Sequence, residues 1–178
     1  EKETLSSVGV GILWTLLLLS STLSLRKFYQ DDFESGNITI MYLNGLSMEL
    51  ITVLKTLSHF IFVQIPFIIS IPVACILVNI PLDKVNNLII SFLIGSLILS
   101  NLGSISSSMN LLNRRNYLLG SLIVMIFSIP VIIFSIGIIN LEENVNSLIS
   151  ILFGILLIVF AINPWASGAC LKLALENN

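Results

Sequence analysis

The chain has 178 residues, of which 56% are hydrophobic and only 10% charged, with a net charge of −2 and a mean hydropathy of +1.02. Soluble domains carry about 25% charged residues, so this chain cannot cover itself with enough polar surface to live in water and reads as an integral membrane protein. No basic patch of useful size exists, which excludes a nucleic-acid partner.

At about 20 apolar residues per crossing, five spans are expected, near residues 8–25, 57–79, 88–112, 117–140 and 147–171. Membrane β-strands would need short segments of alternating polarity, and continuous runs such as Leu88–Leu99 lack that alternation. The expected fold class is all-α, a polytopic transmembrane helix bundle forming one permease-like domain over residues 1–178. The chain opens at Glu1 without Met or a basic n-region. A signal peptide is therefore not expected at its start, and an N-terminal piece is expected to be absent.

Span one carries small residues four apart at Ser7 and Gly11, a spacing that lets helices approach closely in lipid. Residues 26–55 then form a charged island between apolar runs. Arg26 and Lys27 mark the exit of span one, Asp31 and Asp32 are suited to capping a short helix, and Gly36 permits a bend. Ile38, Met41 and Tyr42 fall at i, i+3 and i+4, giving one apolar face over about two turns. Asn44-Gly45 is a turn signal, Ser47 is a good N-cap, and Glu49 sits at the positive end of the following helix dipole. The expected order is helix end, acidic bend, short surface helix, turn and long helix beginning near Met48. Two roles are open to the short helix: docking on a cytosolic protein, or resting on lipid headgroups.

Span two contains Pro66 and Pro72, the lone histidine His59 near its cytoplasmic end, and Gln64. An interfacial or inter-helix hydrogen bond is the reading for His59, with axial haem ligation as the sharper alternative. Span three repeats serine at 96, 100, 104 and 108, beside Gly95, Gly103 and Ser107. Helix packing, a dimer seam and a substrate-facing wall all fit that stripe. Pro130 and Pro164 interrupt spans four and five, and Cys75 and Cys170 read as small apolar packing residues.

Orientation follows from the basic residues. Arg26, Lys27, Lys55, Arg114, Arg115 and Lys172 fall on one side of a five-span map, and only Lys2 and Lys84 on the other. Short loops rich in Lys and Arg stay cytoplasmic, which puts the amino end of this map outside and the carboxyl end inside. Asn101, Asn110 and Asn163 lie deep in the spans without an ionisable partner, which argues against a proton relay. No metal-ligand cluster, nucleophile elbow or phosphate-binding loop is visible. The expectation is a non-enzymatic chain with no cofactor of its own.

The order of these features resembles the permease subunits of type-2 ABC exporters and, more narrowly, the CcmB family, haem exporter protein B of cytochrome c maturation. The resemblance rests on Gly11-Ile12-Leu13-Trp14, Leu23-Ser24-Leu25-Arg26, Asp32-Phe33-Glu34-Ser35-Gly36 and Leu54-Lys55 with His59. Ile129-Pro130-Val131 with Phe134 and Gly137 extends it across nearly the whole chain. It departs where the family often has Ser-Pro after the short helix and this chain has Asn44-Gly45. The resemblance implies six spans, the first missing here, in a bacterial inner membrane or, alternatively, a mitochondrial one. It also implies a homodimer working with CcmA-like ATPase subunits and with CcmC- and CcmD-like haem-handling proteins. Haem and ATP are then implied for the complex, and ATP hydrolysis for release of the haem-loaded chaperone CcmE. The segment contacting the ATPase would be Asp32, Phe33, Glu34, Gly36, Ile38, Met41 and Tyr42. Competing readings are a membrane scaffold without transport, and an exporter permease for another substrate such as a lipid.

Overall fold

The computed structural model describes residues 2–78, 80–112, 118–140 and 144–177. The described residues form seven α-helices: α1 (Lys2–Glu34), α2 (Asn37–Leu43), α3 (Met48–His59), α4 (Ile65–Leu77), α5 (Leu82–Leu112), α6 (Leu118–Asn140) and α7 (Val145–Glu176). A five-residue π-turn, Phe60–Gln64, joins α3 to α4. Among the described residues, five stretches are long and apolar enough to cross a membrane: Val8–Glu34, Met48–Val78, Leu82–Leu112, Gly120–Ile139 and Val145–Glu176. The all-α polytopic bundle expected from composition is the observed architecture.

The first helix overruns the expected boundary. Between Ile12 and Ser35 there is neither Gly nor Pro, so nothing interrupts the hydrogen-bond ladder at Arg26-Lys27, and α1 continues to Glu34. Asp31 and Asp32 consequently lie in the last turns of α1 and do not cap α2. The bend occurs one step later, at Gly36, which adopts φ 76° and ψ 5°. That left-handed conformation costs glycine little and other residues more. Gly45, at φ 90°, makes the second turn in the same way. Ser47 caps α3 as expected, its Oγ accepting from the Leu50 N–H at 3.3 Å.

The middle of the bundle is α5, buried along most of its length. Its small residues explain that position, because they let bulky neighbours come close. The Trp14 ring occupies the space that a side chain at Gly95 would need, and it also meets Phe92 with ring centroids 4.4 Å apart. These residues belong to a large apolar cluster shared by α1, α4, α5, α6 and α7. A smaller cluster gathers Phe28, Tyr29, Phe33, Ile38, Met48, Ile51, Leu111, Leu171 and Ala174. This second cluster is the seat on which α2 rests.

The π-turn has a local cause and a packing consequence. Pro66 cannot donate a backbone hydrogen bond and its ring crowds the preceding turn. The ladder accommodates it by widening, with the Ile65 N–H reaching the Phe60 carbonyl. Residues five apart across the turn thereby come onto one face, and both His59 and Gln64 are buried against α1.

Candidate partner-docking site

The charged island folds into a hairpin of helices whose parts are fixed by identifiable contacts. Asp32, near the end of α1, forms an ion pair with Lys55 of α3 and accepts a hydrogen bond from Asn37 Nδ2 at 3.1 Å. One carboxylate therefore ties the exit of α1 to the entry of α2 and to the body of α3. Glu34 is exposed and accepts from Gln30 Nε2 at 2.8 Å. Phe33 points inward and is buried in the smaller cluster.

The apolar face expected of α2 is divided by the structure. Ile38 is fully buried and Met41 packs partly against the same cluster, so both anchor α2 to its own chain. The expectation that Ile38 faces a partner is corrected by its burial. Tyr42 lies on the flank, 42% exposed. The outward stripe consists of Ile40, 56% exposed, and Leu43, 78% exposed. Ile40 and Leu43 stand at i and i+3, the same spacing that made the inner face legible, and the sequence alone offers no means of ranking two apolar stripes on one short helix. Gly36 supplies the bend and makes no side-chain contact.

Beneath α2, a buried polar network ties four helices together. Tyr29 Oη lies 2.7 Å from Ser104 Oγ, which donates to Ser167 Oγ at 3.2 Å. Ser167 in turn donates to Asn163 Oδ1 at 2.8 Å, and Asn163 Nδ2 donates to both Thr56 Oγ1 and Asn101 Oδ1. A turn deeper, His59 Nδ1 is 3.1 Å from Ser100 Oγ and His59 Nε2 is 3.0 Å from Ser24 Oγ. Both ring nitrogens are thus engaged in the inter-helix bonds expected, an arrangement that leaves no lone pair directed at a metal. Gln64 Nε2 donates to Ser21 Oγ at 2.6 Å. Of the serine stripe, Ser100 and Ser104 make contacts between helices, and Ser96 and Ser108 donate to carbonyls of their own helix, with Ser108 also meeting Cys170 of α7.

Tyr29, Thr56 and Ser167 were not distinguishable as network members from the sequence, since none of them stands in a motif or a spacing that marks it. The basic pair Arg114-Arg115 lies outside the described residues, as do Glu142 and Glu143. Among the described residues no group of three or more His, Cys, Asp or Glu is placed to hold a metal ion, and both cysteines are free thiols.

Comparison with known proteins supplies a second line. A family model described as CcmB protein matches residues 1–174. A relative from Paracoccus denitrificans named heme exporter protein B is 32% identical over 179 residues, covering 99% of this chain and 82% of its own. Proteins of the same name from Haemophilus influenzae and Rhodobacter capsulatus are 27% and 28% identical, each covering 99% of this chain and 81% or 82% of the relative.

Proposed function

The chain belongs to the CcmB family, and from that premise we propose that it is the membrane-spanning permease subunit of an ABC-type haem exporter. In this reading the chain binds no nucleotide, ATP hydrolysis resides in a separate CcmA-like subunit, and two copies work with CcmC- and CcmD-like partners in a bacterial inner membrane. Work done by the ATPase is delivered to this chain and leads to release of the haem-loaded chaperone.

The observation that carries the proposal is the two-sided character of α2. Its inner side is seated by Ile38 and Met41 while Ile40, Tyr42 and Leu43 remain outward. Full burial of an apolar side chain is worth about 1.5–3 kcal/mol, so three such residues suffice to dock a partner. A push on α2 reaches α3 through Asn37, which donates to the Asp32 carboxylate paired with Lys55, and through Met48 and Ile51, which share the cluster with Ile38. Asp31 and Glu34, both exposed, flank the helix with negative charge. An anionic leaflet repels such groups, which favours a protein cleft with a cationic rim over lipid headgroups as the surface met by α2.

Co-purification tests the reading. Leu43→Asp or Tyr42→Asp in the complete complex should remove the ATPase subunit while the membrane chain remains at normal abundance. Retention of the ATPase by both variants, with haem delivery to c-type cytochromes intact, would overturn it.

A further inference from the structure

A crevice of about 220 Å³ opens between α3, the π-turn, α5 and α7. Its walls include Leu57, Phe60 and Phe160, and its floor holds Thr56, Asn101 and Asn163. Leu57 and Phe160 are half exposed on the outer surface of helices long and apolar enough to cross a membrane, so the mouth opens on the surface of the single chain that lipid would contact. The three floor residues are each more than nine-tenths buried. A polar floor beneath an apolar mouth on such a surface is unusual, since an unmatched polar group in hydrocarbon is costly.

The hydrogen-bond bookkeeping of the floor is unbalanced. Thr56 commits its hydroxyl proton to the Thr52 carbonyl at 2.8 Å. Asn163 commits both amide protons, to Thr56 Oγ1 at 3.1 Å and Asn101 Oδ1 at 2.9 Å. Asn101 Nδ2 donates to the Leu97 carbonyl at 2.8 Å, which leaves it a single further N–H. Thr56 Oγ1 also meets the Tyr29 hydroxyl, whereas Asn101 Oδ1 retains an acceptor position. Pro164 also lines the crevice, and its lack of an N–H deprives the Phe160 carbonyl of its intrahelical donor. Acceptors therefore outnumber donors.

We propose that this crevice is a binding site for a membrane-dissolved lipid alcohol, whose hydroxyl donates to Asn101 on the floor while its apolar body lies between Phe60 and Phe160 and its tail extends into the bilayer. A ligand that brings a donor fits best, because the free acceptors of the floor outnumber its one free N–H, and it must be apolar otherwise, because the walls are. A carboxylate is disfavoured by the same surplus of acceptors. The space corresponds to about seven water-sized groups, enough for the head of an amphiphile, and none of the residues lining it is a usual ligand of haem iron. The proposal does not depend on docking at α2.

The test uses the full-length chain in its complex, reconstituted in lipid nanodiscs, with a long-chain fatty alcohol carrying a diazirine and with the methyl ether of the same compound. After illumination, adducts are mapped by peptide mass spectrometry. The alcohol should label Val53–Phe60 and Phe160–Pro164 about tenfold more than the ether does, the ratio of one hydrogen bond. Unlabelled fatty alcohol should compete and its methyl ether should not. Leu57→Trp, which fills the mouth from an already exposed position, should suppress labelling of these peptides while adducts on the lipid-facing side of α6 persist. Equal labelling by alcohol and ether in the wild-type chain would overturn the proposal as ordinary lipid contact, as would full labelling in a folded Leu57→Trp variant. The wild-type competition arm decides the matter even if that variant does not assemble.

Discussion

Lys55 of α3 forms an ion pair with Asp32 of α1 across the base of the short helix α2. The two side chains are about three-quarters buried, and Asp32 also receives the amide of Asn37. Removing one partner therefore loosens the hinge at Gly36 more than it weakens the bundle. Asp32→Asn, which keeps an acceptor for Asn37, should lower stability by up to about 1 kcal/mol. Thermal unfolding in detergent measures that change. Asp32→Ala should loosen α2 further, seen as faster hydrogen exchange in residues 37–43 with little change in α5.

Ile38 and Leu43 separate anchoring from docking. Ile38→Ala removes a fully buried side chain from the smaller cluster and should cost about 2–5 kcal/mol of stability. Leu43→Ala, at a largely exposed position, should leave the unfolding midpoint unchanged within error and reduce recovery of the ATPase subunit. The opposite pattern, with Leu43 stabilising and Ile38 silent, would mean that α2 is seated the other way round.

Gly95 is a point of close approach between α1 and α5. A methyl group there would enter the space of the Trp14 ring, which is itself buried and in contact with Phe92. Gly95→Ala should destabilise by about 1–3 kcal/mol through overpacking. Gly154, with open space where its Cβ would stand, is the control: Gly154→Ala should be neutral or slightly stabilising. Denaturation in mixed micelles reads both.

His59 and Gln64 provide an unequal pair. Both ring nitrogens of His59 have hydroxyl partners, so His59→Leu strands Ser24 and Ser100 and should cost about 1–3 kcal/mol. Gln64 donates to Ser21, but its buried Oε1 has no partner. Gln64→Met removes that unmatched acceptor together with the bond, and its net effect should stay below about 1 kcal/mol. Comparing the two unfolding midpoints tests the assignment.

The legible parts of this fold were those encoded locally. Span number and helical class follow from run length and polarity, and the turns at Gly36 and Asn44-Gly45 follow from backbone chemistry confined to one or two residues. The Ser47 cap was readable for the same reason. The end of α1 was misplaced because a basic pair marks a change of solvent, whereas a helix stops only where its hydrogen bonds or dihedrals fail. The inward turn of Ile38 was hidden because an amphipathic stripe reports which residues share a face without reporting what meets it. The network from Tyr29 to Asn163 depends on four helices meeting, and no single stretch carries that information.

The π-turn between α3 and α4 can also be counted as length. It inserts one surplus residue into a membrane-crossing segment, and that surplus keeps two polar side chains five positions apart on one side. A chain shortened by one at Ile61 or Phe62, both outward-facing, would bring those side chains to a spacing of four, which an ordinary α-helix already places on one face. A chain lengthened by one would need a second widened turn or would swing Gln64 toward lipid. Single deletions in this segment should therefore be tolerated better than single insertions, an asymmetry that an unbroken helix does not have.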